Sequence, residues 1–83
     1  MEQANRVAVI GGGSWATALV KILAENENIT IQWWQRTEEA VEHLLKYKHN
    51  PNYLSDIEFD LKKVKPTSDL QAAVKDVQLI VLA

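Results

Sequence analysis

Apolar residues in this chain fall into two arrangements, short unbroken or alternating runs and stripes spaced three to four apart, and the two take turns from one end to the other. Val7, Ala8, Val9 and Ile10 form a continuous apolar run, the pattern of a parallel strand covered on both faces. From Ala16 the period changes: Leu19, Val20 and Leu23 lie on one helical stripe, while Lys21 and Glu25 fall outside it and stay wet. A second strand is predicted over Ile29–Trp34, where Ile29, Ile31 and Trp33 alternate with Thr30 and Gln32 after a turn marked by Asn26 and Asn28. Trp33 and Trp34 then point to opposite sides of that strand, each packing beneath a helix layer. Thr37 is placed to cap a second helix with Glu38 and Glu39 in its first turn and Val41, Leu44 and Leu45 on its apolar stripe. That helix should end near His49, because Asn50-Pro51-Asn52 cannot continue it.

Tyr53 to Asp60 reads as a loop with a brief extended piece around Ile57 to Phe59, and Lys63 to Pro66 as a short third strand. Ser68-Asp69-Leu70-Gln71 fits a capping box with Ser68 as the cap, opening a short helix to about Lys75. Val77 to Ala83 contains the unbroken run Leu79-Ile80-Val81-Leu82-Ala83 and reads as a buried central strand. Strands alternating with helices imply right-handed crossovers and a parallel sheet. The expected fold is α/β: a partial Rossmann-like doubly wound sheet of about four strands in the order 3-2-1-4, stopping before the second half. With no neighbour beyond it, the last strand is expected to associate with another chain through Leu79 to Ala83.

The chain has 83 residues, a formal net charge of −2 and nine basic residues with no dense positive face, so nucleic-acid binding is not expected. It has no cysteine, which removes thiolate nucleophiles and zinc-thiolate sites. No stretch approaches the roughly 20 apolar residues of a membrane span, and no signal organisation opens the chain, so a cytoplasmic location is expected. His43 and His49 do not share a helical face, which makes them a poor metal pair. Lys62, Lys63 and Lys65 read as a solvated loop edge.

Candidate chemistry lies between the first strand and the first helix, at Gly11-x-Gly13-x-x-Ala16. In a strand-turn-helix context each small residue answers its own steric demand: Gly11 the tight turn out of the strand, Gly13 the absence of a side chain where a ligand approaches, Ala16 close packing of helix on sheet. The N–H groups of the first helical turn then face an anion, favoured by the helix dipole, as a dinucleotide's diphosphate requires.

Gly11-Gly12-Gly13-Ser14-Trp15-Ala16-Thr17-Ala18 resembles the phosphate-binding turn of bacterial-type NAD(P)-dependent glycerol-3-phosphate dehydrogenases, whose pattern is Gly-x-Gly-Ser-aromatic-Gly-Thr-Ala. Trp34-Gln35-Arg36, Asn50-Pro51-Asn52-Tyr53-Leu54 and Thr67-Ser68-Asp69-Leu70 match in the same order, so the resemblance covers essentially the whole chain. Ala16 stands where the family usually has glycine, and Ser55 where it usually has proline. The resemblance implies an oxidoreductase moving hydride between a nicotinamide cofactor and the C2 carbon of dihydroxyacetone phosphate or glycerol 3-phosphate, a small-molecule substrate, in support of phospholipid synthesis. It implies cofactor contacts at Gly11, Gly13, Ser14, Trp15, Arg36 and Tyr53. It also implies that the family's catalytic lysine and its substrate domain lie beyond Ala83, so that no catalytic residue is carried over and the piece alone is inactive.

Coenzyme choice turns on the end of the second strand, where an acidic residue would select NAD by binding the ribose hydroxyls. Gln35 is neutral and Arg36 suits a 2′-phosphate, so NADPH or dual use with NADH is expected, with Glu38 and Glu39 opposing it. A different hydroxyacid dehydrogenase and a dinucleotide-sensing module without chemistry stay open as alternatives.

Overall fold

A computed structural model describes residues 5–47 and 59–83. In chain order the elements are β1 (Asn5–Ile10), α1 (Ser14–Ala24), β2 (Ile29–Trp34), α2 (Glu38–Tyr47), β3 (Val64–Thr67), α3 (Leu70–Val74) and β4 (Leu79–Leu82). The described strands form one parallel sheet in the order β3-β2-β1-β4, as the alternation of periods implied. Val7 sits opposite Ile31 and Leu79, and Ile31 opposite Val64, so the register runs unbroken across all four strands.

Strand parity sorts the core into two layers. Val7 and Val9 of β1, Ile31 and Trp33 of β2 and Val64 of β3 cluster with Ala16 and Val20 of α1, Leu44 of α2 and Phe59, all buried. Ala8 takes the opposite side of β1, where α3 packs against β1 and β2 with Ala73 fully buried. Two helices thus cover one face and α3 the other. The chain changes faces on the crossover to β4, and the strand order reverses beside β1.

Local chemistry sets the helix ends. Thr37 caps α2 as its position suggests, its hydroxyl accepting from the Ala40 N–H at 3.2 Å. The cap of α3 is Asp69 rather than the expected Ser68: its carboxylate accepts from the N–H groups of Gln71 and Ala72 at 3.0 and 3.3 Å. β3 holds the chain extended through Thr67, and the Ser68 carbonyl accepts from the Trp34 indole at 2.9 Å, which leaves the next residue to open the helix. Lys63 is not the solvated residue its neighbours suggested. Its Nζ donates to the carbonyls of Ala24 and Asn26 at 2.8 and 2.9 Å, placing a cation where the α1 dipole is negative.

β4 corrects a second expectation. It pairs only with β1 among the described strands, and Leu79, Ile80 and Leu82 are half or more exposed rather than buried. An apolar run is what an interior strand needs, and here it lies on an edge. The loop expected at Asn50 to Leu54, including Tyr53, and residues 57 and 58 of the expected extended piece lie outside the described residues. Phe59, the last residue of that piece, is buried and meets Trp33 edge-on, with ring centroids 5.1 Å apart.

Candidate dinucleotide site

The sheet delivers Gly11, Gly12 and Gly13 between the end of β1 and the start of α1. Gly11 has φ +145°, which L side chains rarely adopt, and a Cβ added there would run into the Ala83 backbone carbonyl. Its glycine is therefore fixed by the fold. Gly13 is different. It is the cap residue of α1, with φ −78° and ψ −176°, a conformation open to any residue, and an added Cβ would meet nothing within 4 Å. What the absence of a side chain preserves at Gly13 is open space over the helix start.

That helix start is electrostatically prepared for an anion. No side chain caps it, and its first turn carries no acidic residue. The opening amide groups of a helix have no intrahelical acceptor, and the dipole places about half a positive charge there. Thr17 closes the turn from below: its N–H and its hydroxyl both donate to the Gly13 carbonyl, at 3.0 and 2.9 Å. Ser14 and Trp15 are exposed on that first turn, Trp15 by 69%, while Ala16 is fully buried against the sheet as its size requires. Arg36 is exposed at the same end of the sheet, on the connection from β2 to α2. Gly11, Gly13, Ser14, Trp15 and Arg36 are thus gathered at the carboxyl ends of β1 and β2, where the strand order reverses. Tyr53 is outside the described residues.

Two residues at this end were not singled out as site residues for what they do to the turn. Trp33, fully buried, donates its indole N–H to the Gly11 carbonyl at 2.6 Å. Gln35 is buried, its amide oxygen 2.8 Å from where a Cβ on Gly12 would lie, and its Nε2 has no hydrogen-bond partner among the described residues. The signal was parity. Trp33 in β2 and Gln35 just after its end lie two apart along the chain, and Trp34 pairs with Ile10, the residue before the turn.

The residues present fit a diphosphate: an uncapped helix start, space over Gly13, no local negative charge in the first turn, and an exposed hydroxyl at Ser14. Among the described residues no three His, Cys, Asp or Glu side chains converge as a metal site. Fold and turn together define a dinucleotide-binding α/β unit of the doubly wound class.

Residues 6–83 match the family described as the NAD-dependent glycerol-3-phosphate dehydrogenase N-terminus, and the chain belongs to that family. It is 44% identical over 80 residues to a glycerol-3-phosphate dehydrogenase (NAD(P)+) of Nocardia farcinica, covering 95% of this chain and 23% of that protein. The enzyme of the same name from Bacillus licheniformis is 37% identical over 79 residues, covering 95% of this chain and 22% of the relative. A crystal structure of glycerol-3-phosphate dehydrogenase from Coxiella burnetii superposes with a TM-score of 0.85 at 28% identity, covering 95% of this chain and 24% of that one. The chain spans about a quarter of the length of these relatives.

Proposed function

We propose that this chain is the NAD(P)-binding portion of an enzyme that interconverts dihydroxyacetone phosphate and glycerol 3-phosphate, in the cytoplasm and in support of phospholipid synthesis. Family membership supports the reaction, and the observation that carries the binding role is the open, uncapped helix start at Gly13. The amide groups of the first α1 turn and the Ser14 hydroxyl donate to the diphosphate oxygens. Trp15 and Arg36, both exposed at this end of the sheet, would help to hold the coenzyme, Arg36 at its adenosine ribose.

The nicotinamide supplies or accepts the hydride when bound. The residues of this chain bind and orient it. A hydride acceptor must be held about 3–3.5 Å from the nicotinamide, and that task, with proton transfer to the substrate oxygen, belongs in this reading to residues of the longer protein. Within the described residues no helix is long and apolar enough to cross a membrane.

Coenzyme choice follows from charge. The exposed guanidinium of Arg36 suits a 2′-phosphate, and Gln35 at the end of β2 brings no carboxylate to repel it. NADPH is therefore expected to bind at least as tightly as NADH. Side-by-side titrations check this, with Arg36→Ala as a control that should weaken NADPH more than NADH. NADH binding tenfold tighter than NADPH would overturn the preference.

A further inference from the structure

The glycine turn does not support itself. Gly11 sits at φ +145°, and glycine there has a wide choice of alternatives, so something must hold its peptide plane. The carbonyl of Gly11 accepts the Trp33 indole N–H at 2.6 Å, from a ring that is fully buried and braced edge-on by Phe59. Just after the end of β2, the buried amide of Gln35 stands directly against Gly12. We infer that Trp33 is a positioning residue for diphosphate binding, its indole N–H holding the Gly11 peptide so that the following backbone and the α1 start keep the geometry an anion needs, with Gln35 as a second support beneath Gly12. The inference rests on the dinucleotide reading above and deepens it.

Trp33 touches no ligand in this account, and its side chain is fully buried. Its effect is preorganisation: a turn already held in place binds without ordering itself first. The indole is the only part of Trp33 that reaches the turn through a hydrogen bond, whereas the ring as a whole packs the core. Removing the N–H while keeping the ring separates the two roles. Replacement of Trp33 by benzothienylalanine, which puts sulfur where the N–H was, does this with almost no change of shape, and Trp33→Phe does it more coarsely.

The test is a titration of the wild-type protein and both variants with NADPH and with adenosine, beside thermal unfolding. The expected result is about three- to tenfold weaker NADPH binding in the sulfur variant, the range one lost neutral hydrogen bond allows, with adenosine affinity close to wild type and Tm lowered by no more than the several degrees that one lost bond costs. A purely structural role would lower both ligands together, in step with Tm. NADPH binding equal to wild type in a folded sulfur variant, or a parallel loss of adenosine, would overturn the inference. Failure of the wild-type protein itself to bind NADPH would instead overturn the dinucleotide reading beneath it. A measurement needing no variant stands beside these: the Trp33 indole proton should be protected from exchange, with that of the exposed Trp15 as the fast reference, and equal exchange rates would contradict the hydrogen bond.

Discussion

Gly11 and Gly13 stand one residue apart and answer different demands. A methyl at Gly11 meets both an unfavourable φ and the Ala83 carbonyl, so Gly11→Ala should cost about 1–3 kcal/mol of folding free energy or more. A methyl at Gly13 meets nothing, so Gly13→Ala should alter stability by no more than about 1 kcal/mol while it weakens dinucleotide binding. Urea unfolding and coenzyme titration of the two variants separate the effects, and equal loss of stability in both would remove the functional reading of Gly13. The spacing of small residues was legible because turn sterics act locally. Contact with Ala83 was not, since the partner sits at the far end of the chain. Trp33 shows the same limit from another side: a tryptophan on an alternating strand reads as core, and only the register with β1 reveals that its N–H reaches Gly11.

Among the elements, the helices show where local signals compete. Thr37 had no rival as a cap and holds α2 as its position suggests. Ser68 and Asp69 are both good caps, one residue apart, and the choice fell to tertiary contacts made by β3 and Trp34. Asp69→Ala should therefore destabilise by about 1 kcal/mol, whereas Ser68→Ala should change stability little, since its backbone carbonyl is what Trp34 uses. Thermal unfolding of the pair decides it; a larger loss at Ser68 would restore the capping box. Lys63 was misread for a related reason. Its charge suggested solvent, but the end of α1 offers carbonyls whose partial negative charge it meets, and nothing within a few residues of Lys63 announces them.

For the whole molecule, the sheet order 3-2-1-4 was legible because alternating strand and helix periods leave right-handed parallel crossovers as the simple solution. So was the open edge of β4, expected from its place as last strand in that order; the burial expected of its apolar run was not found. Its composition is that of an interior strand, while among the described strands it has one neighbour and exposes Leu79, Ile80 and Leu82.

The binding reading depends on where a dinucleotide settles. Backbone amide shifts of the protein, followed during titration with NADPH, locate it. The largest changes are expected at Gly11, Gly12, Gly13, Ser14, Trp15 and Ala16, with Arg36 moving in parallel. Saturable binding that leaves these amides unmoved and shifts another part of the chain would contradict the account.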